Sequence, residues 1–144
     1  MLSRFENAAL ADALQEIGPS RTFFETLLQL LEAPVIDKAV FDPYIQAVGS
    51  LPVKKGKAAT WPIATLFPHI AQPDRHMFLK PEAARAAAER LGFNLKYETG
   101  LNWETYSALL RMGETYLALL KSSGAKDFFD VQSFFFVANG GYDK

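Results

Sequence analysis

Hydrophobic positions recur every three or four residues along most of the chain, which is the spacing of amphipathic helices. Residues 23–31 show it clearly, because five Phe and Leu side chains there fall on one helical stripe. Proline, glycine and capping residues divide the pattern into seven segments. These segments predict helices at about 4–17, 21–33, 42–48, 58–71, 81–91, 103–122 and 127–137.

The predicted helix ends rest on particular residue types. Ser3 and Ser20 suit the N-caps of the first two helices, and Gly18-Pro19 between them suits the end of the first. Asp42-Pro43 is a capping residue followed by a first-turn proline, and it predicts the start of the third helix. Pro68 should kink or end the fourth helix because it cannot donate a helical hydrogen bond.

Two stretches are ambiguous between helix and strand. Residues 93–97 alternate apolar and polar positions, which fits a short strand or an extended loop. Residues 134–137 favour a strand by composition, but Phe128, Val131 and Phe135 follow helical spacing after Asp127, so we predict a helix. The predicted fold class is all-α: one compact bundle of about seven helices, with one possible short extended segment near 93–97.

The chain is predicted to form a single helical domain over residues 1–144. Residues 49–57 are the most loop-like stretch and mark a possible boundary between two lobes. That stretch is too short to separate two independent domains.

Composition supports a well-packed core and excludes several chemistries. Hydrophobic residues make up 49% of the 144 residues, and 12 of the aromatic residues are Phe. The sequence has no cysteine, so disulfides, thiol catalysis and cysteine-ligated metals are excluded. Fifteen basic residues face 16 acidic ones, so any attraction to an anion must come from a local patch. No run reaches the roughly 18 apolar residues of a membrane span, and we expect a cytoplasmic protein without a membrane partner.

The two histidines do not form a recognisable metal motif. His69 and His76 are seven residues apart across a proline-containing turn, and neither belongs to a metal-binding helix pattern. His69 lies in an apolar run, so we interpret it as a buried, hydrogen-bonded side chain. The sequence also has no phosphate-binding loop, nucleophile elbow or dinucleotide fingerprint. We therefore expect no metal and no cofactor, and we favour a non-catalytic protein.

A stretch of about 40 residues resembles the hairpin region of the helix-hairpin-helix DNA glycosylase superfamily. Leu51-Pro52 and Lys57-Ala58-Ala59 keep the order and spacing of that hairpin, and Arg90-Leu91-Gly92 ends the second helix as in the family. The resemblance implies phosphate binding by backbone N–H groups and lysines at a helix start. In bifunctional members of the family, the lysine at the position of Lys57 is the Schiff-base nucleophile.

The chain departs from that family at the hairpin turn and at the position of the catalytic aspartate. Val53 and Lys55 stand where two glycines are expected, and Lys80-Pro81 stands where a catalytic aspartate should open the second helix. If the chain were an enzyme, the resemblance would imply a DNA glycosylase or lyase with Lys57 as the candidate catalytic residue. The alternative is a generic helix–loop–helix with solvated lysines.

A second resemblance covers about 80 residues. The chain is similar to a family of bacterial proteins of unknown function, so this resemblance implies no activity. The segments that carry it are Trp61-Pro62, Pro73-Asp74-Arg75-His76, Asn102-Trp103 and Asp130-Val131-Gln132-Ser133-Phe134.

Basic and aromatic residues close in sequence suggest a binding surface. Arg75, His76 and Lys80 form a compact basic cluster on a predicted loop, and Trp103 and Tyr106 are one helical turn apart. Stacking on aromatic rings beside basic side chains is a common way to hold a base. The alternative is that both aromatic residues belong to the core, with Arg75 paired to a carboxylate.

Two hypotheses follow for the function. The first is a small, non-catalytic helical module that binds nucleic acid or a nucleotide. The second is a protein-interaction or structural module that binds no nucleic acid. The first relies on these candidate binding residues: Lys54, Lys55, Lys57, Arg75, His76, Lys80, Trp103 and Tyr106.

Overall fold

The computed structural model describes residues 2–14, 17–52 and 58–139. Within these ranges the chain folds as an all-α bundle with one 3₁₀ turn, at Lys121–Ser123, and no β-strand. The prediction of an all-α bundle of about seven helices is confirmed. The helices are α1 (Arg4–Ala13), α2 (Ile17–Glu32), α3 (Lys38–Gly49), α4 (Trp61–Ala71), α5 (Pro81–Leu91), α6 (Trp103–Leu120) and α7 (Phe128–Ala138).

Two helices begin earlier than predicted. Helix α2 starts at Ile17, so Gly18-Pro19 lie in its first turn, where a proline is tolerated because N–H groups there have no helical partner. Helix α3 starts at Lys38 rather than after Asp42. The side chain of Asp37 accepts a hydrogen bond from the Val40 N–H at 3.1 Å and caps it, which leaves Pro43 in the interior.

The later helices agree better with the prediction. Helix α5 ends at Gly92, whose φ of 66° is the left-handed conformation expected of a terminating glycine. Asn102 caps α6 by accepting the Thr105 N–H at 2.8 Å. The ambiguous segment after Asp127 is helix α7, as predicted, and residues 93–97 contain no strand. Helix α4 continues through Pro68 to Ala71.

One hydrophobic core joins residues from all seven helices. Tyr106 lies at its centre, 1% exposed, and its ring stacks on Phe41 with centroids 4.6 Å apart. Gly113 of α6 allows a close approach, because a Cβ atom there would lie 2.8 Å from the Met77 Sδ. The expected lobe boundary at 49–57 falls mostly on residues 53–57, which lie outside the described residues.

The link between α4 and α5 runs through this core. Residues 76–79, which we name the buried connection, have no regular secondary structure, and each is at most 4% exposed. The polar residues among positions 72–80 predict a polar connection between α4 and α5, and the burial of residues 76–79 corrects this prediction. The apolar triplet Met77-Phe78-Leu79 belongs to the core.

Buried irregular backbone needs hydrogen-bond partners, and side chains of α4 supply two of them. The Leu79 N–H donates to the Thr65 hydroxyl at 2.9 Å. The His76 carbonyl accepts from the His69 Nδ1 at 2.9 Å, and the His76 Nδ1 lies 2.7 Å from the Tyr106 hydroxyl. Three side chains therefore hold the buried connection between α4 and α6.

Among the described residues, no helix is both long enough and apolar enough to cross a membrane.

We predict that Thr65→Val lowers the free energy of unfolding by about 1–3 kcal/mol, because it leaves the buried Leu79 N–H without an acceptor. Thr115→Val is the matched control. Both hydroxyls donate to the carbonyl four residues earlier, at 2.6 Å for Thr65 and 3.0 Å for Thr115, but Thr115 is exposed. The control should change stability by less than about 0.5 kcal/mol. Equal losses in urea unfolding would contradict the role assigned to Thr65.

Candidate ligand-binding site

A polar stripe runs along the inner face of α4. Trp61, Thr65 and His69 follow each other at intervals of four residues, so they share one face of the helix. All three are buried, and the His69 side chain is 0% exposed. Trp61 donates its indole N–H to the Glu98 carbonyl at 2.8 Å, and Thr65 binds the buried connection. His69 completes the stripe at the end nearest α7.

The hydrogen bond at Nδ1 fixes which nitrogen of His69 carries the proton. A carbonyl oxygen only accepts, so Nδ1 must donate to the His76 carbonyl 2.9 Å away. Burial lowers the pKa of His69, although this hydrogen bond and Asp127 act in the opposite direction. The ring is therefore neutral at neutral pH. Its Nε2 then has a free lone pair, and this buried atom has no hydrogen-bond partner among the described residues.

Helix α7 presents two apolar faces. Phe128, Val131 and Phe135 are buried. Phe129, Gln132 and Phe136 follow the same three-to-four spacing one position later and form the adjacent face. The Gln132 Oε1 on this second face is buried and has no hydrogen-bond partner among the described residues.

A cavity of about 420 Å³ lies between helices α4, α5 and α7 and the buried connection. Its size is within the usual range of small-molecule sites. Of the three buried side-chain atoms without a partner among the described residues, His69 Nε2 and Gln132 Oε1 belong to side chains that line it, and His76 Nε2 does not. The described lining residues are His69, Phe78, Lys80, Ala83, Phe129, Gln132, Ser133 and Phe136.

The aromatic rings in this cavity are arranged for stacking. The rings of His69 and Phe129 are nearly parallel, with an interplanar angle of 7° and centroids 6.0 Å apart. Phe78 lies on His69 at 6.3 Å and 30°. Phe129 and Phe136 are about half exposed, at 54% and 52%. The cavity thus combines apolar walls with two buried acceptors.

Lys80 connects this cavity to a larger groove. The groove has a volume of about 910 Å³ and lies between the N-terminal segment, α3, α4 and residues 97–101. Lys80 lines both spaces and is half-buried. Of the predicted binding residues that the structure describes, Lys80 alone lines the cavity.

Arg75 is held by the end of α2. Its guanidinium donates to the Leu31 carbonyl at 3.1 Å and to the Ala33 carbonyl at 2.5 Å. It also donates to the Gln72 side chain at 3.2 Å. These bonds satisfy carbonyl groups that a helix C-terminus leaves free, so Arg75 stabilises the junction between α2 and residue 72.

The other predicted residues of that cluster are packed inside. His76 is 0% exposed, and its Nδ1 lies 2.7 Å from the Tyr106 hydroxyl. Trp103 is half-buried and packs on Phe41 with centroids 5.6 Å apart. Arg75, His76 and Lys80 therefore do not share an exposed face. The alternative interpretation of Tyr106 as a core residue agrees with its burial.

The remaining predicted residues are Lys54, Lys55 and Lys57, which lie outside the described residues. The hairpin prediction that depends on them stays a prediction. The same holds for Lys57 as a candidate catalytic residue.

The prediction that His69 is a buried, hydrogen-bonded residue is confirmed. The predicted binding residues do not include Gln132, Phe129 or Phe136, which line the cavity. The signal was available in the second three-to-four stripe of α7, at 129, 132 and 136. A stripe that adjoins the core stripe indicates a helix with neighbours on two sides.

The described residues contain no group of three or more His, Cys, Asp or Glu side chains able to hold a metal ion. Comparison of the chain with protein-family models gives no match. It also matches no curated protein and no solved structure. The family resemblances given above therefore stay predictions, and the candidate site rests on its geometry.

We predict that His76 makes the protein less stable in mild acid. Burial, with a smaller effect of Arg75, lowers its pKa to about 4, from 6.5 in the unfolded chain. Below pH 6.5 the unfolded chain binds the proton more readily than the folded one. Stability is therefore lost as the pH falls from 6.5 to about 4, by roughly 3 kcal/mol in total.

Urea unfolding at several pH values tests this, with His76→Gln as the comparison. Carboxylates and His69 titrate in both proteins, so the difference between the two isolates His76. The variant should be less stable at pH 7 but should lose less stability on acidification. Parallel pH profiles would show that His76 is not the titrating group.

Proposed function

We propose that the protein is a non-catalytic module that binds a nucleotide, with the base in the cavity between α4 and α7. The observation that carries this proposal is the pair of buried acceptors without partners, His69 Nε2 and Gln132 Oε1, at an aromatic-lined cavity. A buried polar atom without a partner costs free energy, and a ligand that donates to both atoms would recover that free energy.

The walls of the cavity suit a planar ring. Phe78, Phe129 and Phe136 offer apolar faces, and a base gains about 1–3 kcal/mol from stacking on an aromatic side chain. The ring of Phe129 is nearly parallel to that of His69. A base that lies in the plane of the imidazole is therefore parallel to Phe129 as well.

The positive charge of Lys80 favours a nucleotide over a free base as the ligand. This residue lines both the cavity and the adjoining groove. A phosphate attached to a bound base and directed toward the groove would be attracted to this charge. The groove leaves room for the sugar and phosphate.

The one hydroxyl in the described lining is bonded within its own helix. Ser133 donates its hydroxyl to the Phe129 carbonyl at 3.1 Å, which is the usual bond of a serine within a helix. Binding of a longer nucleic acid is a separate proposal, because it depends on Lys54, Lys55 and Lys57.

We predict that nucleoside monophosphates bind saturably and that Phe129→Ala weakens binding about 10- to 100-fold, because it removes one stacking surface. Phe24→Ala is the matched control: Phe24 is 49% exposed, against 54% for Phe129, and lies on α2 away from the cavity. Isothermal titration calorimetry with the four common monophosphates measures the change. No saturable binding at millimolar concentration, or equal losses in the two variants, would contradict the proposal.

A second candidate function is self-association through α2. Its outer face exposes Ile17, Phe24 and Leu28, at 79%, 49% and 55%. Arg21 and Glu25 lie on the same face, one turn apart, and neither forms an ion pair among the described residues. In an antiparallel pairing of two copies about a twofold axis near residue 23, Arg21 of each copy faces the second copy's Glu25. The occupant we propose for this face is therefore a second copy of the chain.

We predict a concentration-dependent dimer in sedimentation velocity. Arg21→Glu should weaken it by placing two acidic residues opposite each other, and the double variant R21E/E25R should restore it by reversing both charges. A monomer at all concentrations up to about 1 mM, the upper end of weak protein–protein affinities, would contradict this candidate.

A further inference from the structure

The chemistry of the two unpartnered atoms identifies what the ligand must donate. This inference rests on the proposed function and specifies its ligand class. We infer that the cavity selects bases that carry an exocyclic amino group, whose N–H bonds point at His69 Nε2 and Gln132 Oε1. Adenine, guanine and cytosine belong to this class, whereas uracil and hypoxanthine present a single ring N–H and can satisfy only one of the two acceptors.

Both atoms are acceptors, for independent reasons. His69 must keep its single ring proton on Nδ1, because the His76 carbonyl opposite that nitrogen can only accept. Its Nε2 therefore offers a lone pair. Gln132 places its amide oxygen, which has no proton, at the buried position, and the same amide also carries an NH₂ group. The lining thus contains two buried lone pairs that an approaching N–H group can satisfy.

A ligand that presents only oxygen to these atoms is disfavoured. A carbonyl or carboxylate oxygen next to His69 Nε2 places two lone pairs face to face and leaves that nitrogen unpartnered. A site built around a hydrogen bond rejects an analogue that lacks the matching group more strongly than an apolar pocket rejects a change of size. The donor requirement therefore gives this cavity its selectivity.

A planar amino group also fits the orientation of the rings. The lone pair of Nε2 lies in the plane of the imidazole, so the donated N–H lies in that plane as well. The amino group of a base is coplanar with its ring. A coplanar base therefore lies within about 7° of parallel to Phe129, which allows hydrogen bonding and stacking at once.

The experiment compares two pairs of ligands that differ at the amino group. Guanosine and inosine monophosphates form one pair, and cytidine and uridine monophosphates form the other. Isothermal titration calorimetry should show at least tenfold tighter binding of the amino-bearing member in each pair. Equal affinity within both pairs would overturn the inference while leaving nucleotide binding intact. No binding of any of the four would overturn the proposed function itself.

Substitutions at residue 132 test whether this side chain causes the preference for an amino group. Gln132→Met keeps the length of the side chain and removes the acceptor. It should therefore weaken the binding of guanosine monophosphate several-fold more than the binding of inosine monophosphate. Gln132→Glu retains an acceptor oxygen and should preserve the preference. Equal loss for both ligands in Gln132→Met would show that residue 132 does not read the amino group.

The proton on His69 can be observed directly in the ligand-free protein. Long-range ¹H–¹⁵N spectra distinguish the two neutral forms of a histidine ring, and His69 should carry its proton on Nδ1. A proton on Nε2 would make that atom a donor and overturn the inference, without bearing on whether a nucleotide binds. This readout needs no substitution of His69, whose loss would disturb the buried connection.

Discussion

The structure depends on hydrogen-bond partners for the backbone of residues 76–79, which cross the core outside any helix. Water cannot reach the main chain of residues 76–79, so its polar groups must be paired inside the protein. Thr65 and His69 pair two of them, and Tyr106 contacts the His76 side chain. Because these partners come from α4 and α6, the same hydrogen bonds that make the crossing possible also fix the spacing of those helices. Arg75 and the end of α2 then hold the outer edge of the link.

The candidate site is a by-product of that arrangement. The bond from His69 to the His76 carbonyl commits one ring nitrogen to the fold and leaves the other facing away from the buried connection, on a residue that lines the cavity. Gln132 reaches the same cavity because α7 packs on two sides, through a core face and an adjacent face. The structural role of His69 therefore determines its chemical role. A side chain that only filled space would not have a fixed proton.

Sequence periodicity located the helices because each has an apolar stripe and clear end signals, as with Gly92 and Asn102. The boundaries of α2 and α3 were missed because glycine and proline are acceptable in a first turn and because Asp37 competed with Asp42 as a cap. The burial of residues 76–79 was missed because charged neighbours dominate that stretch, although three consecutive apolar residues lie within it. Which atoms stay unpartnered depends on tertiary contacts, and no sequence pattern contains that information.

The pairing of side chains with main-chain atoms restricts how this sequence can diverge. A bond between two side chains can be preserved by changing both residues together. Here one partner is the peptide backbone, which is the same for every amino acid, so a substitution at Thr65 or His69 has no compensating change in residues 76–79. Met77 and Leu79 can drift among apolar residues of similar size, while Thr65 and His69 cannot. Descendants of this chain should therefore differ more within the crossing segment than in the helices that hold it.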